Sequence, residues 1–111
     1  MGPFAAGQVV VLPFPYSDLT GQKPRPVLLL ARAGHNDWII CQITSNPFAD
    51  TSAIQLTPTS FASGGLPHTS YVRPSKLFTA NQSVIAALSG TLKDAVLDQV
   101  REAVTTAIHR S

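Results

Sequence analysis

Residues 27–44 read VLLLARAGHNDWIICQIT, and this stretch decides the fold. It holds two continuous apolar runs of strand length, residues 27–31 and 38–44, which are typical of buried β-strands. Between them, residues 34–37 (GHND) are of the types that tight turns favour. The stretch therefore predicts a β-hairpin with two buried strands.

Further short strands are expected on both sides of this hairpin. They are predicted at residues 8–14, 52–56, 70–73 and 76–79, and residues 84–88 are expected to be a further short strand or a turn. Pro74 separates two of these strands, because proline cannot donate a backbone hydrogen bond to a sheet. The proline-bearing residues 15–26 and the residues 57–68 around Gly64-Gly65 are expected to be loops.

The last predicted element is an amphipathic helix. Thr91 and Asp94 are spaced as a capping box with aspartate in place of glutamate. Apolar residues then recur at helical spacing, at Val96, Leu97, Val100, Val104, Ala107 and Ile108. The pattern favours an α+β, mostly β fold: a small, strongly bent sheet or barrel of short antiparallel strands, with a C-terminal helix packed on it.

Composition fits one globular domain over residues 1–111, since 44% of the residues are hydrophobic and 13% are charged. The net charge of +2 comes without a run of lysine or arginine, which excludes a basic tail but not a folded basic groove. The single cysteine, Cys41, excludes an intrachain disulfide and a cysteine-rich zinc site. We find no signal peptide or membrane span and expect a cytoplasmic protein.

The acidic residues offer little basis for metal or carboxylate chemistry. They are Asp18, Asp37, Asp50, Asp94, Asp98 and Glu102, and three of them lie on the predicted helix. The sequence also lacks the HExxH, phosphate-loop and GxSxG motifs. A metalloenzyme, a nucleotide-binding enzyme and a serine hydrolase are therefore disfavoured, and we expect no metal ion or cofactor.

Arginines and hydroxyls are the remaining candidates. Arg25 stands between two prolines that restrict its backbone, and its planar guanidinium suits a phosphate. An arginine that is merely solvated at the end of a loop would show the same sequence pattern. Thr44 and Ser45 end a strand, where hydroxyls either serve a site or complete a turn. Alternation puts Tyr71 and Arg73 on one face of a strand, able to stack a base and hold its phosphate, or simply to pack and face solvent.

Three further residues also allow a functional and a structural interpretation. His68 lies in a predicted glycine-rich loop, where an imidazole is able to move a proton but most often has no chemical role. Trp38 and Cys41 lie within an apolar strand, and core packing is the better interpretation of both.

Several of these segments together resemble the MazF/PemK family of toxin ribonucleases. GQVVVLPFP (residues 7–15) followed by GQKPRPVL (residues 21–28) is similar to the family's first strand, loop and Arg-Pro pair. Ile43-Thr44-Ser45 resembles the Thr-Ser that ends its third strand. Residues 64–66 (GGL) and 70–73 (SYVR) resemble a later strand segment. The closing helix agrees, so the similarity covers nearly the whole chain.

This resemblance implies an SH3-like barrel of the CcdB/PemK type, forming a homodimer that binds single-stranded RNA along its interface. It implies sequence-specific, metal-independent cleavage by the ribose 2′-hydroxyl, leaving 2′,3′-cyclic phosphate and 5′-hydroxyl ends. It also implies a cognate antitoxin whose disordered acidic segment lies in the same groove. We expect the antitoxin segment to contact apolar loops of this chain, which contain Phe14, Tyr16, Phe48 and Phe61.

The resemblance also assigns roles to individual residues. Arg25 would hold the reacting phosphate, Thr44 with Ser45 would donate hydrogen bonds to it, and Arg73 would match an arginine that some members use in the chemistry. Some members carry an acid two residues later, where this chain has Ser75; His68 is our preferred base, with Asp18 as the alternative. The expected RNA-binding residues are Phe14, Tyr16, Lys23, Tyr71 and Lys76.

Two other functions remain open on the same fold. A gyrase poison acts through an aromatic-bearing C-terminal tail, whereas this chain ends in Ile108-His109-Arg110-Ser111. A barrel that binds RNA or an antitoxin without cutting is consistent with the serine at position 75. Binding of RNA without cleavage would distinguish this function from that of a ribonuclease.

Overall fold

The structure, a computed structural model, describes residues 4–14, 23–47 and 50–110. Within them are two short 3-10 turns, Pro58–Ser60 and Gln82–Val84, and one helix, α1 (Asp94–His109). The strands are β1 (Gln8–Phe14), β2 (Lys23–Gly34), β3 (Asp37–Thr44), β4 (Ile54–Leu56), β5 (Phe61–Gly64), β6 (Ser70–Asn81) and β7 (Ala87–Leu92). The predicted mostly β fold with a C-terminal helix is confirmed.

The strands form one sheet in the order β4-β6-β3-β2-β1-β7-β5, with antiparallel pairing throughout the described residues. Its two edge strands, β4 and β5, follow each other in the chain and are joined through the turn at Pro58–Ser60. The sheet therefore curls back on itself into a nearly closed barrel. None of the described helical segments is long and apolar enough to cross a membrane.

The predicted hairpin is confirmed as β2 and β3. His35 and Asn36 adopt positive φ angles of 52° and 65°, the left-handed conformation that a two-residue hairpin turn requires. However, β2 begins at Lys23, so residues 23–26 are strand and not the loop that their prolines suggested. These residues pair with β1 while the ladder to β3 begins only at Val27, and proline is tolerated on such a locally open edge.

Two other predictions about strands were wrong. Residues 57–68 are not all loop, because they contain a 3-10 turn and β5, which pairs with β7. Pro74 does not end a strand: it is buried within β6, where the pairing with β3 shifts between Cys41 and Gln42 and leaves residues 74–76 as a bulge. Residues 84–88, expected to be a short strand or a turn, contain the end of the 3-10 turn Gln82–Val84 and the first two residues of β7 (Ala87–Leu92).

The helix is confirmed over most of its predicted length, but its predicted capping box is wrong. Thr91 is part of β7, where it pairs with Gln8, and Lys93 is the N-cap residue. The buried stripe of α1 is Leu97, Val100 and Val104. On the same helix, Arg101 donates from Nε and Nη2 to the carbonyl oxygen of Leu30 at 3.3 and 3.0 Å, at a register shift of β2. This contact ties the helix to the sheet.

Apolar side chains are buried on both faces of the sheet. The first cluster includes Val9, Leu28 and Cys41 and packs against the helix, while the second includes Val10 and Trp38. Each fully buried large aliphatic side chain contributes about 1.5–3 kcal/mol. Because both faces are covered, these strands read as continuous apolar runs. The core positions expected for Trp38 and Cys41 are confirmed.

Candidate functional site

The strand register brings Arg25 and Thr44 side by side. Leu12 pairs with Arg25 across β1 and β2, and Thr44 pairs with Tyr71 across β3 and β6. The β2–β3 ladder ends at the pair Val27 and Gln42, and Arg25 and Thr44 each lie two residues beyond it on their own strands. Both residues line the same pocket. Residues 19 positions apart in sequence thus meet on one surface.

A pocket of about 310 Å³ lies at the ends of these strands. It contains four of the five predicted catalytic residues in its wall. The lining residues are Val11, Pro24, Arg25, Pro26, Ile43, Thr44, Ser45, Leu66, Pro67, His68, Ser70 and Ser89. None of these twelve residues is acidic, and Arg25 is the permanent positive charge among them. The pocket is therefore suited to an anion.

Arg25 is held where its charge has the strongest effect. The residue is half-buried, and its neighbours Pro24 and Pro26 line the same pocket. Proline fixes its own backbone and restricts the residue before it, so this segment loses little entropy when a ligand binds. A guanidinium that is partly shielded from water also attracts a phosphate more strongly than an exposed one does. The backbone at Arg25 is thus restricted, and its partly shielded charge suits an anion.

The Thr44 hydroxyl completes a turn at the end of β3. It accepts a hydrogen bond from the backbone N–H of Asn46 at 3.1 Å and donates to the Asn46 carbonyl oxygen at 3.2 Å. The turn alternative is thus present in the structure, and it leaves Ser45, which is exposed, in the wall of the pocket. To donate to a ligand, Thr44 would exchange its bond to the carbonyl oxygen, because a hydroxyl has one donor.

His68 enters the pocket wall from residues 65–69, which connect β5 to β6. The imidazole is exposed, while the backbone carbonyl oxygen of His68 accepts a hydrogen bond from the Ser70 hydroxyl at 3.0 Å. The start of this segment is tied to β7, since the N–H of Gly65 donates to the carbonyl oxygen of Ser89 at 3.1 Å. The fold therefore places an exposed imidazole across the pocket from β2 and β3.

Arg73 lies outside this pocket and has a carboxylate partner. Its Nε is 2.8 Å from Oδ2 of Asp50, and its Nη1 donates to Oε1 of Gln42 at 3.3 Å. The hydrogen bond that Arg73 donates to the Asp50 carboxylate lowers the pKa of this carboxyl from the usual 3.8. The hydrogen bonds from Ser52 lower it further. Tyr71 and Arg73 are half-buried on either side of the buried Val72, as their predicted shared face requires.

Sequence reasoning did not single out Asp50 as a functional residue. It is separated from Arg73 by 23 positions, and only the fold brings the two together. The local signal was the Asp50–Ser52 spacing, which is typical of a loop carboxylate that bonds to its own backbone.

The remaining predicted residues are more scattered. Lys23 begins β2 and Lys76 lies in the bulge of β6; both are exposed and neither lines the pocket. The side chain of Phe14, and Tyr16, Asp18 and Phe48 entirely, lie outside the described residues. Phe61 is only 7% exposed in β5, so its predicted place in an open apolar loop was wrong. Among the described residues, no three His, Cys, Asp or Glu side chains are grouped to hold a metal ion.

The chain matches the model of a known protein family. Residues 5–108 match the model of the PemK-like, MazF-like toxin of type II toxin-antitoxin systems. The chain therefore belongs to this toxin family. No curated protein sequence matches it.

Solved structures of toxins share its fold. An endoribonuclease in complex with its cognate antitoxin, from a mycobacterial species, superposes with a TM-score of 0.75 at 17% identity, covering 97% of each chain. MazF from Deinococcus radiodurans gives 0.72 at 20% identity, covering 96% of each chain. The Mycobacterium tuberculosis toxin MazF-mt6 gives 0.70 at 19% identity, covering 92% of this chain and 96% of the other.

Proposed function

We propose that the chain is a metal-independent endoribonuclease toxin that cuts single-stranded RNA at specific sequences. The observation that carries this proposal is the convergence of Arg25, Thr44, Ser45 and His68 on one pocket whose described lining residues include no acid. Membership of the MazF-like toxin family supports it. The substrate class would be messenger RNA, which places the protein's action in the cytoplasm.

The proposed reaction is an internal displacement at phosphorus. The ribose 2′-oxygen forms a bond to the neighbouring phosphorus, and the bond from phosphorus to the 5′-oxygen of the next nucleotide breaks. The products are a 2′,3′-cyclic phosphate and a 5′-hydroxyl. Because the substrate itself supplies the nucleophile, the protein has only to position the phosphate, stabilise its added negative charge and move protons.

The residues of the pocket fit these tasks. Arg25 would bind the phosphate oxygens and stabilise the charge that they gain, with hydrogen bonds from Thr44 and Ser45. His68 would take the proton from the 2′-hydroxyl, because it supplies an imidazole in the pocket wall and none of the described lining residues is a carboxylate. Its exposed position would let the proton return through water to the departing 5′-oxygen.

Two partners belong to this proposal. The first is a second copy of the chain, forming the homodimer that the family resemblance implies. The second is a cognate antitoxin, since a solved structure with this fold is an endoribonuclease in complex with one. An acidic antitoxin segment would compete with RNA phosphate for Arg25.

The experiment that tests this proposal follows the ends of the cut RNA. Purified protein is incubated with a long single-stranded RNA in excess EDTA, and fragments are mapped for their termini. Discrete cuts with 2′,3′-cyclic phosphate and 5′-hydroxyl ends are expected. Intact RNA that still binds the protein would instead make the chain a non-cutting RNA-binding barrel.

A further inference from the structure

We propose that Asp50 is a positioning residue for RNA binding: it fixes the guanidinium of Arg73 as a second phosphate site beside the pocket. This inference rests on the proposed function, because it names a further part of the same RNA-binding surface. The phosphate concerned is one that neighbours the phosphate cut at Arg25. Arg73 would hold RNA there and would not take part in the chemical step.

The ion pair is shielded from water on the Asp50 side. The side chain of Asp50 is 10% exposed and that of Arg73 is 25% exposed, and Nε of Arg73 meets Oδ2 of Asp50 at 2.8 Å. A pair at this distance and burial keeps a defined geometry better than an exposed one, whose side chains pay entropy to stay together. The guanidinium is therefore held in one direction.

Asp50 is itself fixed by its own loop. Its Oδ1 accepts hydrogen bonds from the N–H of Ser52 at 3.0 Å and from the Ser52 hydroxyl at 2.7 Å. Its backbone N–H donates to the Pro47 carbonyl oxygen at 3.0 Å, and its carbonyl oxygen accepts from Ala53 at 3.3 Å. Both carboxylate oxygens thus have partners. The lowered pKa keeps the carboxyl ionised, so it suits a fixed anion and not a proton acceptor.

Arg73 is also held from the sheet side. Gln42, directly opposite on β3, bonds to Nη1, and the Cys41 thiol donates to the Arg73 carbonyl oxygen at 3.0 Å. This thiol bond lies where the β3–β6 register shifts and the ladder is interrupted. Asp50 and Gln42 occupy two of the five N–H groups of the guanidinium. Among the described residues, the other three have no partner, and they are suited to donate hydrogen bonds to a phosphate.

The location of Arg73 fits an RNA strand that runs across the sheet. Arg73 is two residues from Tyr71 on the same face, and Tyr71 is paired with Thr44, the neighbour of Arg25. Two residues along a strand span about 6.6 Å, and two strand spacings about 9.6 Å. Arg25 and Arg73 are thus separated by more than one side chain can bridge, and Tyr71, on the same face as Arg73, would be able to stack a base beside it.

The test measures RNA binding without cleavage. The probe is a fluorescein-labelled single-stranded RNA of mixed sequence with every 2′-hydroxyl methylated, which cannot be cut by the proposed reaction. Anisotropy gives its Kd for the wild-type protein and for Asp50→Asn, Arg73→Lys and the double variant. Asp37→Asn is the matched control, because Asp37 is also a half-buried acid with a side-chain partner, Asn81, but lies at the opposite end of β3.

The direction of the effect separates positioning from bulk charge. Removal of a carboxylate from a surface that binds a polyanion would tighten binding, whereas loss of the fixed guanidinium should weaken it about tenfold in Asp50→Asn. Arg73→Lys keeps the charge but loses the planar set of guanidinium N–H donors, so it should weaken RNA binding similarly. The double variant should show no further loss of affinity. Asp37→Asn should bind as tightly as wild type or more tightly.

Two results would overturn the proposal: equal or tighter binding by Asp50→Asn, or additive losses in the double variant. If Asp50→Asn does not fold, as judged by its melting transition, Arg73→Lys with Asp50 intact decides the matter, and unchanged Kd rejects a phosphate site at Arg73. Where cleavage is measurable, Asp50→Asn should raise KM about tenfold and leave kcat unchanged. Failure of wild type to cut RNA would reject the proposed function alone, since the binding cycle does not depend on cleavage.

Discussion

Replacement of Gly64 by alanine should unfold the wall of the pocket while the same change at Gly65 is tolerated. Gly64 has a φ of +64°, and a Cβ built there would lie 2.3 Å from the carbonyl oxygen of Ser89 and 2.7 Å from Cα of Gly90. Gly64 pairs with Gly90, so both contacts are with the backbone of the neighbouring strand, which cannot rotate away. A Cβ at Gly65 would meet nothing within 4 Å.

The expected cost follows from these two features. The left-handed backbone costs a residue with a Cβ about 1–2 kcal/mol, and overpacking against backbone adds about 1–3 kcal/mol. A loss of about 3 kcal/mol corresponds to a fall in Tm of roughly 10–20 °C for a domain of this size. Gly64→Ala should show this fall in thermal or urea unfolding, whereas Gly65→Ala should stay within about 1 kcal/mol of wild type.

Because β5 and β7 hold the start of residues 65–69, Gly64→Ala should also lower RNA cleavage at temperatures where the variant remains folded. His68 would then be displaced from the pocket wall. If both variants unfold with the same free energy as wild type, the close approach of β5 to β7 is not as we describe it.

Two further predictions concern ionisable groups. Because the pKa of Asp50 is lower in the folded than in the unfolded chain, its ion pair stabilises the fold at pH values above the unfolded pKa of 3.8. This stabilisation is lost as the pH falls through the pKa of the folded state. Urea unfolding should therefore show wild type about 1 kcal/mol more stable than Asp50→Asn at pH 5–8, with the difference disappearing below about pH 4; a constant difference down to pH 2 would contradict it. Burial raises the pKa of the Cys41 thiol from 9.0 to about 12, so its thiolate fraction falls by about three powers of ten. A thiol-disulfide reagent should label this single cysteine at pH 8 far more slowly in the folded protein than in urea, and equal rates would show that the thiol is accessible.

The hairpin could be predicted because its information is local. Residues 34–37 specify a turn and the apolar runs beside it specify buried strands, so β2 and β3 needed no knowledge of the rest of the chain. The helix could be predicted for the same reason, from the spacing of residues such as Leu97 and Val104.

The errors occurred where a partner strand overrides local preference. Residues 61–64 (FASG) have weak strand character and become β5 only because β7 pairs with them. Pro74 reads as a strand break, yet the bulge in β6 removes the need for its N–H. Prolines 24 and 26 read as a loop, although β1 pairs with both.

The candidate site divides in the same way. Arg25 and Thr44 could be named from their chemistry and their strand-end positions, but their adjacency depends on the β2–β3 register. The Asp50–Arg73 ion pair joins a loop to β6, and no spacing in the sequence predicts a contact between two such segments. The chemical type of each candidate residue could be recognised in the sequence, whereas the meeting of these residues in one place could be seen only in the fold.

In the proposed reaction Arg25 stabilises the reacting phosphate, and the cleavage rates of two arginine variants would show whether it does. Arg25→Ala and Arg110→Ala remove the same charge, but Arg110 lies at the exposed end of α1. With one single-stranded RNA in excess EDTA, Arg25→Ala should cut on the order of 10²–10³-fold more slowly than wild type, and Arg110→Ala at close to the wild-type rate. Equal cleavage by wild type and Arg25→Ala, with both proteins folded, would contradict the account.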